Sequence, residues 1–295
     1  MSESGTGDGG REFERVGDAL RARMADGIYP LKSFLPPQRE LAQEFGVSRD
    51  TVQRVLKELS SEGWIETRQG SGSRVIRRQD IQSSTAKPGK LTLGPLIGEA
   101  FSRPEVSLDV YTLTSESLDA HIRLQAERIR MGEISPQSIT LRMLLPSESL
   151  ALPYPRVLAD KDDGRLRERR LALTRRHSGS LRTVLNELRV EQLVPSVETH
   201  IRHAPLTPTC KLYLLNGVEA LHAPYEVIKR TVVLENGEEI PALDALGVGA
   251  TLTHHVKDAD LDSAGSVFVS RMQAWFDSIW DNLAEEAAPP RTEEP

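Results

Sequence analysis

Residues 35 to 75 constrain the fold of this 295-residue chain most strongly, because turn signals separate short periodic segments there. Two prolines precede residues 38–45, and proline is tolerated at a helix start, where no intrahelical N–H is needed. Gly46 predicts a tight turn after that segment. Ser48 then stands where the hydroxyl of a helix N-cap belongs. The pattern predicts a short helix, a turn and the start of a second helix.

The second helix carries an apolar stripe with three- and four-residue spacing, which predicts one buried face. Its members are Val52, Val55, Leu56 and Leu59. Residues 64 to 76 then predict a β-hairpin with a glycine-rich tip at 70–72. Helix, turn, helix and hairpin in this order indicate an α+β winged helix-turn-helix domain.

The opposite face of the second helix is polar, and its side chains suit contacts to base edges in a major groove. They are Arg49, Thr51, Gln53 and Arg54, preceded by Ser48. Arginine can bond guanine and glutamine can bond adenine in a bidentate manner. Arg39 and Arg68 are placed to hold phosphates. A solvated helix face is the alternative for any single charge, but spacing, cap and hairpin together favour DNA.

This stretch resembles the N-terminal domain of GntR-family transcriptional regulators. The segments LPPQRELA, GVSRDTVQ and EGWIETRQGSGSRV carry the resemblance, which covers residues 11 to 76. It implies that Arg39, Arg49, Thr51 and Gly70 contact DNA. Gln53 stands where the family often has a further arginine, so the resemblance does not specify the operator bases.

The charge distribution also suits a protein that meets DNA at one end. The formal net charge is −6, yet residues 11–78 hold 13 basic against 10 acidic side chains. The single cysteine, Cys210, excludes an intramolecular disulfide and is typical of a reducing compartment. Lacking a long apolar run or a signal sequence, the chain is predicted to be cytoplasmic, without a membrane partner.

Composition divides the chain into five predicted segments. Residues 1–10 are expected to be disordered, 11–76 to form the winged helix-turn-helix domain, and 77–90 to form a linker. Residues 91–285 are expected to be an α/β domain for effector binding or dimerisation. Residues 286–295 are a predicted disordered tail.

The α/β prediction rests on a strand–helix–strand pattern. Strands are predicted at 106–113 and 139–145, and Thr114 could cap the helix between them. Such a βαβ unit implies a parallel sheet covered on both faces. Further along, helices are predicted at 181–193 and 266–285, and strands at 196–203, 211–215 and 225–234.

The C-terminal region also weakly resembles a degenerate phospholipase D-like domain. That motif has histidine, any residue, lysine, four residues and aspartate; here Thr209, Lys211 and Asn216 occupy the three places. Without imidazole, phosphodiester hydrolysis is not expected. The resemblance implies an anionic ligand at these residues, whereas Lys211 could instead be a strand-end lysine reaching solvent.

Three further sets of side chains in the C-terminal region are candidates for a functional role. The histidines at 200, 203, 254 and 255 would point to opposite faces of strands, so no metal site and no cofactor are expected. The arginine-rich run at 165–176 could be a solvated helix, or a surface that meets a phosphate-bearing ligand or operator backbone. Trp275 and Trp280 are expected in a core, or else in a dimer seam.

Taken together, these features predict a sequence-specific, GntR-type DNA-binding transcription regulator, which could be a repressor or an activator. Its expected partners are a double-stranded DNA operator, a second copy of the chain in a homodimer, and a small-molecule effector. The chain is not expected to be an enzyme. The alternatives are a phosphodiesterase-like enzyme tethered to a DNA-binding module, and a protein-interaction module.

Overall fold

The computed structural model describes residues 6–25, 28–30, 32–61, 64–68, 72–75, 81–83, 93–234, 236–246 and 252–286. We call residues 6–75 the head and residues 81–286 the C-terminal domain. Among the described residues, no helix is long and apolar enough to span a membrane.

The head contains three helices and a two-stranded hairpin. Its elements are α1 (Thr6–Ala25), α2 (Gln38–Phe45), α3 (Arg49–Ser61), β1 (Ile65–Arg68) and β2 (Gly72–Val75). The strands β1 and β2 pair in antiparallel register. This is the predicted winged helix-turn-helix arrangement.

Local chemistry accounts for the turn between α2 and α3. Gly46 adopts a left-handed backbone with φ of 66° and ends α2, and its N–H bonds the carbonyl of Ala42. Ser48 Oγ accepts from the backbone N–H of Thr51 at 3.0 Å, which caps α3 as predicted. The stripe Val52, Val55, Leu56 and Leu59 is buried in the head core with Leu20, Leu41 and Trp64.

The C-terminal domain contains four helices and eleven strands among its described residues. The helices are α4 (Leu93–Phe101), α5 (Glu116–Arg130), α6 (Arg165–Val190) and α7 (Ala264–Asn282). The strands are β3 (Ile81–Ser83), β4 (Glu105–Tyr111), β5 (Ser138–Pro146), β6 (Arg156–Val157), β7 (Ser196–Ala204), β8 (Cys210–Leu215), β9 (Glu219–Pro224), β10 (Glu226–Val233), β11 (Glu239–Leu246), β12 (Leu252–Val256) and β13 (Glu285–Glu286).

Eight of these strands form one sheet in the order β13-β7-β5-β4-β8-β9-β12-β3. The neighbours β4, β5 and β7 run parallel, as the strand–helix–strand pattern predicts. However, β8, β9 and β12 extend the sheet in antiparallel register, so the expected parallel sheet is a mixed one. A separate sheet has the order β10-β11-β6.

Helices cover both faces of the large sheet. On one face, α4, α5 and α6 contribute to a core that includes Ile97, Leu118 and Leu185. On the other face, α7 places Phe276 and Trp280 in a second core. Trp275 packs edge-on against Tyr111 with ring centroids 5.0 Å apart, so both tryptophans belong to this core.

Several predicted boundaries are wrong where tertiary contacts decide the structure. The helix α1 begins at Thr6, inside the segment expected to be disordered. The strand β3 lies inside the expected linker and pairs in parallel with β12, so the C-terminal domain includes residues before 91. The N-cap position of α5 is Ser115, not Thr114. Glu286, the first residue of the expected disordered tail, belongs to β13 and pairs with Arg202 of β7. Residues 287–295 lie outside the described residues.

Candidate nucleic-acid interface

The head presents a polar surface around the N-terminal half of α3. Arg49 is the first residue of α3, and Gln53 lies one turn further along the same face; both are exposed. Arg39 is exposed in the first turns of α2. These three side chains are therefore exposed, and their contacts with a duplex stay a prediction.

Ser48 and Thr51 have a structural use at the start of this face. Their hydroxyls are 2.9 Å apart, and Thr51 is buried. The pair therefore fixes where α3 begins and which residues of its first turn face outward. Gly70 and the side chain of Arg68, both predicted to contact DNA, lie outside the described residues.

Arg54 is directed to a different side of α3 from Arg49. Its guanidinium lies over the ring of Phe13 on α1, 5.0 Å from the ring centroid. This cation–π contact holds Arg54 beside the C-terminal domain. A cleft of about 960 Å³ opens there between α3 and α6. Basic and amide side chains line it from both sides, among them Gln53, Arg54 and Lys57 of α3 and Arg165, Arg169 and Arg176 of α6.

The head contacts the C-terminal domain through charged side chains of α1, α3, α5 and α6. Asp18 on α1 accepts from Arg21 at 2.9 Å and from Arg123 of α5 at 3.0 Å. Arg21 also bonds Glu58 on α3 at 3.2 Å, and Arg176 of α6 bonds the same carboxylate. An unbroken ionic chain thus joins α3 to the C-terminal domain.

The same chain continues into α6. Arg123 donates to Ser180 Oγ, at 2.7 Å from Nη2. Asp119 of α5 lies 2.8 Å from Nδ1 of His177, which is buried. Burial raises the pKa of Asp18 to about 6, although the positive charges of Arg21 and Arg123 oppose that rise. The folded chain therefore holds a proton on Asp18 more tightly than an exposed carboxylate would.

The residues of the degenerate motif in the C-terminal domain are separated along β8. Thr209 precedes the strand and Asn216 follows it. The amide of Asn216 accepts from the backbone N–H of Ser107 at 2.8 Å and donates to Ala100 at 3.2 Å, which gives this side chain a structural use. Lys211 is only 2% exposed, so the alternative of a lysine reaching solvent is wrong. Binding of a ligand by these three residues stays a prediction.

The arginine-rich run forms the first half of α6 and divides into distinct environments. Arg165 and Arg175 are exposed and paired with Asp163 and Glu148, respectively. Arg170, in contrast, is 3% exposed. The run is therefore not uniformly solvated. The sequence gives no sign of this, because the cavity that Arg170 lines also has walls from β10 and β11, which are distant along the chain.

Comparison with known proteins places the head in a family. Residues 13–75 match the model for bacterial regulatory proteins of the gntR family. An uncharacterized HTH-type transcriptional regulator of Mycobacterium tuberculosis is 35% identical over 32% of this chain and 47% of its own length. The Exu regulon transcriptional regulator of Escherichia coli is 35% identical over 26% of this chain and 30% of its own. The regulator GmuR of Bacillus subtilis is 32% identical over 42% and 56%.

The family match covers residues 13–75 of the 295. The chain spans about half, or less, of the length of the relatives it matches first. A solved GntR family transcriptional regulator from Listeria monocytogenes is 24% identical, with a TM-score of 0.22 over 26% of this chain and 62% of its own. The C-terminal region is α/β, and its resemblance to phospholipase D is not confirmed. Residues 13–75 are a GntR-family helix-turn-helix domain.

Proposed function

We propose that the chain is a GntR-type transcription regulator that binds a specific operator through its head and responds to a ligand at its C-terminal domain. The exposed face of α3 carries this proposal. It places Arg49 and Gln53 one turn apart at the N-terminal end of a helix whose opposite side is buried. A recognition helix presents its N-terminal residues to base edges in the same way.

The individual contacts follow from the position of each side chain. Arg49 and Gln53 would read bases in the major groove. Arg39, on the preceding helix, would hold a phosphate. Ser48 and Thr51 would act through the cap that orients the first turn of α3, and Arg68 and Gly70 would contact the backbone from the hairpin.

Regulation would pass through the ionic chain between the head and the C-terminal domain. A ligand that moves α6 would change the contacts of Arg176 with Glu58 and of Ser180 with Arg123, and hence the position of α3. A single head contacts few base pairs, so we propose a homodimer on a two-fold operator. The names of the relatives, including the Exu regulon transcriptional regulator, support regulation rather than catalysis.

Selection from a library of randomised duplexes with the full chain tests this function. We expect enrichment of one motif with two-fold symmetry, at a half-site spacing of about one helical turn. The Arg49→Ala chain in the same selection should lose preference at one base pair of each half-site. A library that stays random after selection, with folded protein, would refute specific recognition.

A further inference from the structure

The first half of α6 contains a buried arginine, Arg170, whose terminal nitrogens make no hydrogen bond to the described residues. Arg170 is 3% exposed, and neither Nη1 nor Nη2 has a hydrogen-bond partner among the residues that the structure describes. Arginine stays protonated in proteins, so it cannot escape burial by losing its charge. A buried ion without a partner is strongly destabilising. The side chain therefore lacks the counter-charge that its environment requires.

The surroundings of Arg170 do not supply that charge. Burial lowers the pKa of its guanidinium, and the nearby positive charge of Arg167 lowers it further. Glu148 opposes this effect, but its carboxylate is bonded by Arg175. Among the described residues, no carboxylate is therefore committed to Arg170 alone.

Arg170 lines a small cavity of about 50 Å³, which also has the N-terminal end of α5 in its wall. Thr114 and Glu116 contribute from that end, and the N-cap Ser115 makes no capping hydrogen bond with its side chain. The positive end of a helix dipole favours negative charge. Both the helix end and the guanidinium therefore favour an anion.

The charges of the cavity wall leave a positive excess. Three arginines line it, namely Arg169, Arg170 and Arg230, against the two carboxylates Glu116 and Asp244. Arg230 is already bonded to Asp244, with its Nε 2.5 Å from Oδ2.

We propose that Arg170 anchors a binding site for the carboxylate or phosphate group of a small molecule, between α6 and the N-terminal end of α5. The two terminal nitrogens of Arg170 would bind two oxygens of that group side by side, the geometry in which arginine recognises both kinds of anion. The cavity exceeds the roughly 15 Å³ that one water needs, so a single oxyanion group enters and the rest of the molecule extends outward.

The site offers a direct route to the head. Arg176, which bonds Glu58 of α3, and Ser180, which accepts from Arg123 of α5, follow Arg170 on the same helix. At a rise of about 1.5 Å per residue, Arg176 lies roughly 9 Å along the axis from Arg170. An anion that draws α6 toward α5 would shift these contacts. This regulatory consequence rests on the proposed DNA-binding function, whereas binding of the anion does not.

Thermal unfolding of the full chain without DNA tests the site. The midpoint is measured in chloride alone, then with inorganic phosphate or with succinate at matched ionic strength. We expect one of these anions to raise the midpoint by several degrees in the wild-type chain. The control Arg189→Gln, which removes an exposed arginine from the far end of α6, should respond in the same way.

Two variants separate anion binding from a structural role of Arg170. Arg170→Met should lose the response to either anion, and in chloride alone it should unfold no earlier than the wild type, because an uncompensated charge is gone. Arg170→Lys keeps the positive charge but lacks the two parallel N–H donors of a guanidinium. It should need at least tenfold more anion for the same shift of the unfolding midpoint. A response to phosphate alone would assign a phosphate ligand, and a response to succinate alone a carboxylate.

Three results would overturn the proposal: no midpoint shift with either anion in the wild type, an unchanged response in Arg170→Met, or earlier unfolding of Arg170→Met in chloride. Because no DNA is present, these results leave the proposed function of the head untouched. A failed operator selection would equally leave the anion site standing.

Discussion

The surface of the head and the interior of the C-terminal domain place polar and charged side chains in opposite environments. In the head, Arg39, Arg49 and Gln53 are exposed around a well-packed apolar core. In the C-terminal domain, Asp109 and Arg170 are 4% and 3% exposed, respectively. Duplex DNA is too large to be enclosed, so its contacts must stay on the surface. A small ligand can be enclosed, and groups that bind it can lie inside.

The difference has an energetic consequence for substitutions. An exposed charge is solvated whether or not it has a partner, so its removal changes the free energy of unfolding little. Removal of one member of an interior ion pair, such as Arg142 with Asp109, leaves the other member without its counter-charge. Substitution of an exposed charge in the head should therefore affect binding, whereas substitution within an interior ion pair of the C-terminal domain should affect the free energy of unfolding.

The largest effect is expected for Arg142→Ala in the C-terminal domain. Arg142 donates from Nε to Asp109 at 2.7 Å and from Nη2 to Asp277 at 2.8 Å. Its guanidinium also lies over the ring of Phe276, 5.2 Å from the centroid. Removing it leaves Asp109 buried, so we expect a loss of about 3–5 kcal/mol in the free energy of unfolding. Urea unfolding followed by tryptophan fluorescence measures this loss.

Arg39→Ala is the matched control from the head, since it removes one exposed arginine. Its free energy of unfolding should stay within about 0.5 kcal/mol of the wild type. Equal losses for the two variants would remove the contrast between the regions.

A smaller effect, dependent on pH, is expected for Asp18→Asn at the contact between the regions. The pKa of Asp18 is raised from an ordinary 3.8 to about 6, so the folded state holds this proton more tightly than the unfolded state. The resulting stabilisation is complete below about pH 4 and is lost as the pH rises through 6. The wild type should therefore lose roughly 2–3 kcal/mol relative to Asp18→Asn between pH 4 and pH 7.

Urea unfolding of both chains at several pH values gives this difference directly. Asp50→Asn, which changes an exposed carboxylate of the head, controls for the general effect of charge. If the stabilities of the wild type and Asp18→Asn changed in parallel across this pH range, the raised pKa of Asp18 in the folded state would be contradicted.

The structure of the head can be predicted from the sequence because local signals determine it. Ser48 caps α3 through a bond to Thr51, three residues away, and Gly46 ends α2 through its own backbone conformation. The core stripe of α3 follows from helical spacing alone. Helical spacing also predicts the polar face of α3. It does not predict that Arg49 faces outward while Arg54 lies over Phe13 beside the C-terminal domain.

Much of the C-terminal domain depends on contacts between distant residues, which periodicity does not reveal. The strand β3 has the composition of a linker, and only its pairing with β12, about 170 residues later, makes it a strand. The burial of Arg170 is not apparent from the sequence, because the cavity that it lines also has walls from β10 and β11, which belong to a separate sheet. Only its membership of an arginine-rich run gives a signal, and the run does not distinguish it from Arg167 or Arg175.

For the head, the largest effect of a substitution should appear in binding. Arg49→Ala should weaken operator binding by about 1–3 kcal/mol and relax discrimination at one base position, because the side chain faces a base edge. Fluorescence anisotropy with the selected operator and its single-base variants measures both quantities. Retained discrimination at every position would show that Arg49 holds the backbone instead.

Arg39→Ala should have the smallest effect on DNA binding, and this effect should not depend on the sequence of the duplex. Arg39 lies on α2, before the turn that leads to the recognition helix, and it is exposed. A phosphate contact carries no sequence information, so its loss should weaken binding to all duplexes by a similar factor. It also releases one counterion fewer, so the slope of log K against log salt should fall in magnitude by about one. Titrations at four salt concentrations, with the operator and with an unrelated duplex, distinguish this from base reading. A slope equal to that of the wild type, or a loss confined to the operator, would assign Arg39 to the bases.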